Sequence, residues 1–271
     1  MKRTLVFGVV LLLVPLSGVL AIAQVSSSAS ASASSDGPME VTIGTFNFIA
    51  GDSLALEINR DEDCACMCDP ISVVGLHLEN ADGVVPVRLL RDHELPLPID
   101  KWVGMLRLVS PNGSPLPAGQ YTAVVETSAG TFRALFTVAD VGMNTSSWGH
   151  VSSSASICGV EIRLYRLLTK DTATSLNLHV GDRLMVALAG NATTGYEWQQ
   201  VTNGQEAILS PLTGLDYLPD SAPSGTVGSG GIFLFRFNAD RAGSIDLTFA
   251  YRRPWEEGTG AETITFHIVV R

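Results

Sequence analysis

Basic residues are scarce in this chain: 17 Lys and Arg stand against 27 Asp and Glu, and the formal net charge is −10. No cationic face is available for a phosphate backbone, so nucleic acid is not an expected partner. Signatures of chemistry are lacking too. The chain has no G-x-x-x-x-G-K-[S/T] phosphate loop, no H-E-x-x-H metal pair and no G-x-S-x-G nucleophile elbow. Its five histidines, His77, His93, His150, His179 and His267, are scattered. No nucleophile with a base and no carboxylate pair stands out, so neither catalysis nor a cofactor or metal is expected, and binding is favoured instead. Amphipathic helix periods of useful length are missing as well, which points to an all-β chain.

Long apolar runs are confined to the N-terminal region. Met1-Lys2-Arg3 precedes an apolar stretch from Leu5 to Leu20 and the small-residue end Ala21-Ile22-Ala23. Residues 1–23 therefore read as a secretory signal cleaved after Ala23, which makes the protein secreted or extracytoplasmic. An uncleaved anchor is the rival, because the run approaches the ~20 residues that span a bilayer. Pro15, Ser17 and Gly18 near its end favour cleavage, and with cleavage no membrane attachment remains. Residues 24–38 are rich in Ser and Ala and poor in large apolar side chains, as a flexible spacer is.

The remaining chain is long enough for two domains. In residues 39–140, apolar or alternating runs occur at Val41–Ile43, Ser53–Ile58, Val73–Leu78, Val103–Val109, Tyr121–Glu126 and Thr131–Val138. Turn residues separate them at Gly51-Asp52, Asp82-Gly83, Pro111-Asn112-Gly113, Pro117-Ala118-Gly119 and Ala129-Gly130, the rhythm of a β-sandwich. The segment from Pro117 to Phe132 resembles the last hairpin of many bacterial immunoglobulin-like modules, a likeness of fold that gives no function.

Cysteine is rare, with four residues, and three of them crowd together: Cys64, Cys66 and Cys68, with Cys158 far downstream. Three soft ligands at alternate positions could hold a thiophilic metal. In an exported chain, four cysteines more often form two disulfides, and three connectivities are possible. Cys64 with Cys68 and Cys66 with Cys158 is one arrangement, since cysteines two apart in an extended strand are poorly placed to bond each other.

Residues 141–157 are small and polar and read as a linker, with Trp148 either packed between the domains or exposed. Residues 158–271 then carry strand-like runs at Val160–Leu168, Ser175–Val180, Arg183–Ala189, Tyr196–Val201, Ile232–Phe237, Ile245–Tyr251 and Thr263–Val270. Seven strands with short turns suit an immunoglobulin-like sandwich. The fold class expected is thus all-β, two such sandwiches in tandem after a signal peptide and a Ser/Ala-rich spacer.

Three segments at strand ends carry the functional signal. Asn191-Ala192-Thr193-Thr194-Gly195-Tyr196, with Trp198 beyond it, is an uncharged loop between two apolar runs. Gly228-Ser229-Gly230-Gly231 opens an alternating run, and Arg253-Pro254-Trp255 follows another. Three loops at one end of a sandwich can form a composite binding edge. In this order and spacing the segments resemble the chagasin family of inhibitors of papain-like cysteine proteases, over about Val160 to Arg271. One departure is Ala192, where the family usually has proline.

The resemblance implies a reversible inhibitor, monomeric and non-enzymatic, whose partner is a papain-like cysteine protease. The loop Asn191–Tyr196 would enter the cleft, with Thr193 and Thr194 facing the catalytic pair. Gly228, Ser229, Gly230 and Gly231 would run backbone against the protease, and Arg253, Pro254 and Trp255 would form the third contact. Gly231 has an alternative role in simply beginning a strand, while Trp198 and Tyr251 read as core. The other function to weigh is a cell-surface adhesion or carbohydrate-binding tandem that uses the same fold as a scaffold. Because all three motifs lie beyond Val160, the second domain alone is expected to inhibit as well as the longer chain.

Overall fold

The protein is described here by a computed structural model covering residues 30–32, 39–60, 71–90, 97–99, 101–128, 130–140, 154–157, 160–202, 207–212, 216–220, 228–256 and 262–271. The signal peptide, most of the spacer, Trp148 and all four cysteines lie outside the described residues. The first half of the chain contributes strands β1 (Ser30–Ser32), β2 (Met39–Ile49), β3 (Ser53–Arg60), β4 (Ile71–Asn80) and β5 (Gly83–Val85). It continues with β6 (Arg88–Leu89), β7 (Leu97–Ile99), β8 (Lys101–Arg107), β9 (Gly119–Thr127) and β10 (Gly130–Ala139). The second half contributes β11 (Ser154–Ile157), β12 (Val160–Thr169), β13 (Ser175–Leu178), β14 (Arg183–Gly190) and β15 (Glu197–Gln200). Its last strands are β16 (Leu209–Pro211), β17 (Asp216–Pro219), β18 (Gly231–Ala239), β19 (Gly243–Arg252) and β20 (Glu262–Val270).

Alternation explains most of these elements. In β10, Phe132, Ala134, Phe136 and Val138 are buried, while Arg133 and Thr137 between them are less so. A side-chain period of two leaves one face for the core. The all-β reading is borne out, and each of the expected apolar runs holds a strand, with further short strands between them. The Tyr121 hydroxyl donates to Pro117 O at 2.8 Å, a corner contact of the kind seen in immunoglobulin-like domains.

The junction departs from the expected linker. One sheet has the order β16-β18-β14-β12-β3-β8-β6 and runs through both halves of the chain. Strand β12 is the shared element. It pairs antiparallel with β3 from Val160↔Arg60 to Arg166↔Leu54, then parallel with β14 from Arg166↔Leu184 to Thr169↔Ala187. The β3 side of this sheet faces the sheet β1-β2-β10-β9-β4-β5 across a core that includes Phe48, Leu56, Trp102, Phe132, Phe136 and Leu164. Its β14 and β18 side faces β13-β20-β19-β15 across a core that includes Leu168, Val186, Trp198, Phe237, Phe249 and Phe266. Leu164 and Leu168, four residues apart on one face of β12, thus belong to different cores.

The opposite face of the shared sheet is also buried. Ala55, Val103, Met105, Tyr165, Leu167, Met185, Ala187 and Leu234 form a third apolar cluster drawn from both halves. Arg166 ties the junction again by bonding Asp182 at 3.0 Å and Asp52 at 3.3 Å. Two strands lie in segments expected to be structureless: β1 in the spacer pairs with β2, and β11 in the linker pairs with β12. Both are short and rich in Ser and Ala, so the main chain supplies their attachment.

Candidate functional site

Strand β14 ends at Gly190, and the chain turns through a single 3-10 turn over Ala192–Thr194. Asn191 caps that turn. Its Oδ1 accepts from Thr193 N at 3.1 Å and from the Thr193 hydroxyl at 2.6 Å. The Thr194 hydroxyl donates to Asn191 O at 2.6 Å. Gly195 closes the turn with φ of 78°, a left-handed backbone that a side chain would strain. Below the loop, the Tyr251 hydroxyl accepts from Asn191 N at 2.7 Å, and Trp198 Nε1 donates to Ala189 O at 2.9 Å. The ring of Tyr251 lies 5.3 Å from that of Tyr196 and 5.2 Å from that of Trp198. Trp198 is buried, and Tyr251 packs against the core, as strand alternation indicated.

The second segment meets the first directly. Asn191 Nδ2 donates to Gly228 O at 2.9 Å, so one asparagine both caps its own turn and holds the neighbouring loop. Gly230 O accepts from Asp220 N at 2.9 Å, which pins the loop to the end of β17. Gly231 is buried at the start of β18, and a Cβ there would lie 2.5 Å from Leu218 O and from the Tyr217 ring. Close packing is therefore a sufficient reason for glycine at that position. Ser229 is half-buried, while Gly228 is exposed.

The third segment completes the edge. The Arg253 guanidinium sits over the Tyr196 ring at 4.7 Å and bonds Glu256 Oε1 at 2.7 Å. Trp255 is 70% exposed, yet its indole lies against Gly195, where a Cβ would meet Cη2 at 2.6 Å. Pro254 is exposed beside it. All thirteen residues of the three motifs thus lie at one end of the second sandwich, with Asn191 joined to Gly228 and Gly195 and Tyr196 joined to Trp255 and Arg253.

Sequence reasoning did not anticipate Asn191 as the bridge between loops, nor Tyr251 and Asp220 as the residues beneath them. Their partners are 37, 60 and 10 positions away in the chain, and only the folded pairing brings them together. Among the described residues, no group of three or more His, Cys, Asp or Glu is gathered to hold a metal. What the edge offers is an uncharged, internally bonded protrusion flanked by an exposed indole.

The profile of the chagasin family peptidase inhibitor I42 matches residues 177–270. Amoebiasin-1 of Entamoeba histolytica is 29% identical over 105 residues, which are 38% of this chain and 98% of that protein. The crystal structure of the Entamoeba histolytica cysteine protease inhibitor EhICP2 is 27% identical, covers 39% of this chain and 94% of its own, and has a TM-score of 0.34. The structure of PbICP-C in complex with falcipain-2 is 21% identical, covers 40% and 91%, and has a TM-score of 0.27. With the match spanning all three loops and their supporting strands, residues 177–270 form a chagasin-like domain, and chagasin-family members are peptidase inhibitors and not enzymes.

Proposed function

We propose that the C-terminal domain reversibly inhibits papain-like cysteine proteases, with its three loops together occluding the active-site cleft. The observation that carries this reading is the bonded edge itself. Asn191 to Gly228 and Trp255 on Gly195 lock three loops into one surface before any partner arrives. A preorganised edge loses little conformational freedom on binding, so more of the contact energy appears as affinity.

The threonines act through what their internal bonds leave over. Each hydroxyl proton is already donated, Thr193 to Asn191 Oδ1 and Thr194 to Asn191 O. Thr193 and Thr194 therefore offer oxygen lone pairs and methyl groups to a thiolate and imidazolium pair. The methyls exclude water, and the loop places no scissile carbonyl for attack, which makes the block reversible. Gly228, Ser229 and Gly230 present main chain for strand-like hydrogen bonds. Trp255 supplies apolar area on the flank, with Pro254 and Arg253 shaping its approach.

In this reading the protein acts as a monomer outside the cytoplasm, with residues 1–23 removed as a signal peptide. The test is titration of papain with the purified chain. Reversible inhibition with one inhibitor per enzyme is expected, and an adhesion or carbohydrate-binding tandem would leave papain activity untouched.

A further inference from the structure

We propose that the first domain is a built-in support for the second inhibitory loop, and that Glu57 is the residue through which it positions that loop. The inference rests on the inhibitory reading above but extends to a part of the chain outside the family match. Glu57 lies on β3 and Arg236 on β18, with β12 and β14 between them in the sheet. Their side chains nevertheless meet. Arg236 Nη2 lies 2.7 Å from Glu57 Oε1, and both side chains are 1% exposed. Both residues stand on the face of the sheet that carries the third apolar cluster, and their long side chains span the two strands between them.

The network continues toward the binding edge. Tyr165, on the shared strand β12, donates its hydroxyl to Glu57 Oε2 at 2.7 Å. Burial and the neighbouring Glu57 carboxylate push the Tyr165 pKa upward, so this donor stays protonated at working pH. Arg236 Nη1 bonds Asp216, the first residue of β17. From Asp216↔Leu234 to Pro219↔Gly231, β17 is paired with β18, and one residue later Asp220 N bonds Gly230 O. The Gly228–Gly231 loop is therefore gripped from below by a hairpin whose far end is fastened to the first domain. Asn191 passes the constraint on through its bond to Gly228 O.

Two physical arguments make Glu57 more than a stabilising contact. A buried guanidinium that loses a carboxylate partner draws water or shifts to recover charge. Here the strand that would shift carries the loop. Deleting the first domain would also bare the β12 edge that β3 now covers over Val160–Arg166. The expectation that the second domain inhibits equally well alone is revised on these grounds.

The experiment uses the full chain as wild type, Glu57→Ala, Glu57→Gln and the double variant Glu57→Leu with Arg236→Met. Each is measured for Tm, for inhibition of papain, and for amide hydrogen exchange in peptides spanning residues 228–231. Glu57→Ala is expected to speed exchange in that loop about tenfold or more and to weaken inhibition about tenfold. Glu57→Gln, which keeps a bonding oxygen for Arg236, is expected to restore inhibition to within about threefold of wild type. The double variant replaces the buried pair with apolar groups but leaves the Tyr165 hydroxyl without its acceptor, so its Tm is expected to fall less than that of Glu57→Ala while loop protection and inhibition are lost together, which separates tethering from stability. Wild-type exchange and inhibition in any folded variant that lacks the pair would overturn the proposal. If Glu57→Ala does not fold, the double variant decides. If wild type fails to inhibit papain, the inhibitory reading falls, and the exchange measurement still decides whether Glu57 holds the loop.

Discussion

Replacing Trp255 with alanine separates a binding role from a folding role. The indole is 70% exposed and rests on Gly195. A tryptophan presents roughly 150–250 Å² for burial, so at ~25 cal/mol per Å² the exposed part is worth about 3 kcal/mol if a partner covers it. Imperfect coverage and ordering costs bring this to about 2–3 kcal/mol. At 1.4 kcal/mol for each tenfold, the inhibition constant of Trp255→Ala is expected to rise about 30- to 150-fold. Folding should be nearly indifferent, because so little of the side chain is buried, and a surface change of this kind falls within about 0.5 kcal/mol. Steady-state inhibition of papain and thermal unfolding, run on the same preparations, read both quantities. An inhibition constant changed less than threefold in a folded variant would place the partner elsewhere. Loss of inhibition and of Tm in parallel would make Trp255 a structural residue.

Four further outcomes are expected. Asn191→Asp keeps the acceptor that caps the turn but removes the donor to Gly228 O, so inhibition should weaken about 3- to 10-fold, in line with a hydrogen bond of ~0.5–1.5 kcal/mol; an unchanged constant would show that the two loops need no tie. Ala192→Pro falls at the first position of the 3-10 turn, where proline is tolerated, and should tighten inhibition a few-fold; a glycan on the Asn191-Ala192-Thr193 acceptor should weaken it, and no change on confirmed glycosylation would remove this loop from the cleft. Peptide mapping without reduction should find Cys66 linked to Cys158, since Arg60 and Val160, six and two positions from them in the chain, are paired; four free thiols or a bound metal would contradict this. The Tyr165 pKa is raised above its ordinary 10.0, so the unfolded chain loses that proton first and stability should fall as pH climbs past about 10; Tyr165→Phe should flatten this alkaline limb, and an identical limb in both proteins would refute the assignment.

Much of the architecture was legible in the chain because strand alternation is a local property. Thr131 to Val138 and Thr263 to Val270 read as strands from period two alone, and turn residues bounded them. The three motifs could be placed at strand ends for the same reason. The shared sheet could not be read this way. The pattern of β12 is the same whether β3 lies beside it or water does. Glu57 and Arg236 each look like the solvent-facing member of an alternating strand, yet both are buried. A hint was available in Trp102-Val103-Gly104-Met105-Leu106 and Leu184 to Leu188, which are apolar on both faces, as strands covered on both sides are. Strands β16 and β17 were missed because Leu209–Pro211 and Asp216–Pro219 are short and contain proline, a mark of edge positions that weakens any strand signal. Asn191 gave no sign of its bond to Gly228, because a side-chain contact across 37 positions exists only once β14 and β18 have paired.

The most direct measurement is a competition titration with two forms of papain, one free and one whose cleft is filled by a covalent peptidyl inhibitor on its cysteine. With the loops seated in the active-site cleft, the full chain should bind free papain reversibly and tightly, and blocked papain should fail to compete even in large excess. Equal binding to both forms, or tight binding that leaves peptide hydrolysis intact, would contradict occlusion of the cleft by Asn191–Tyr196 and its neighbouring loops.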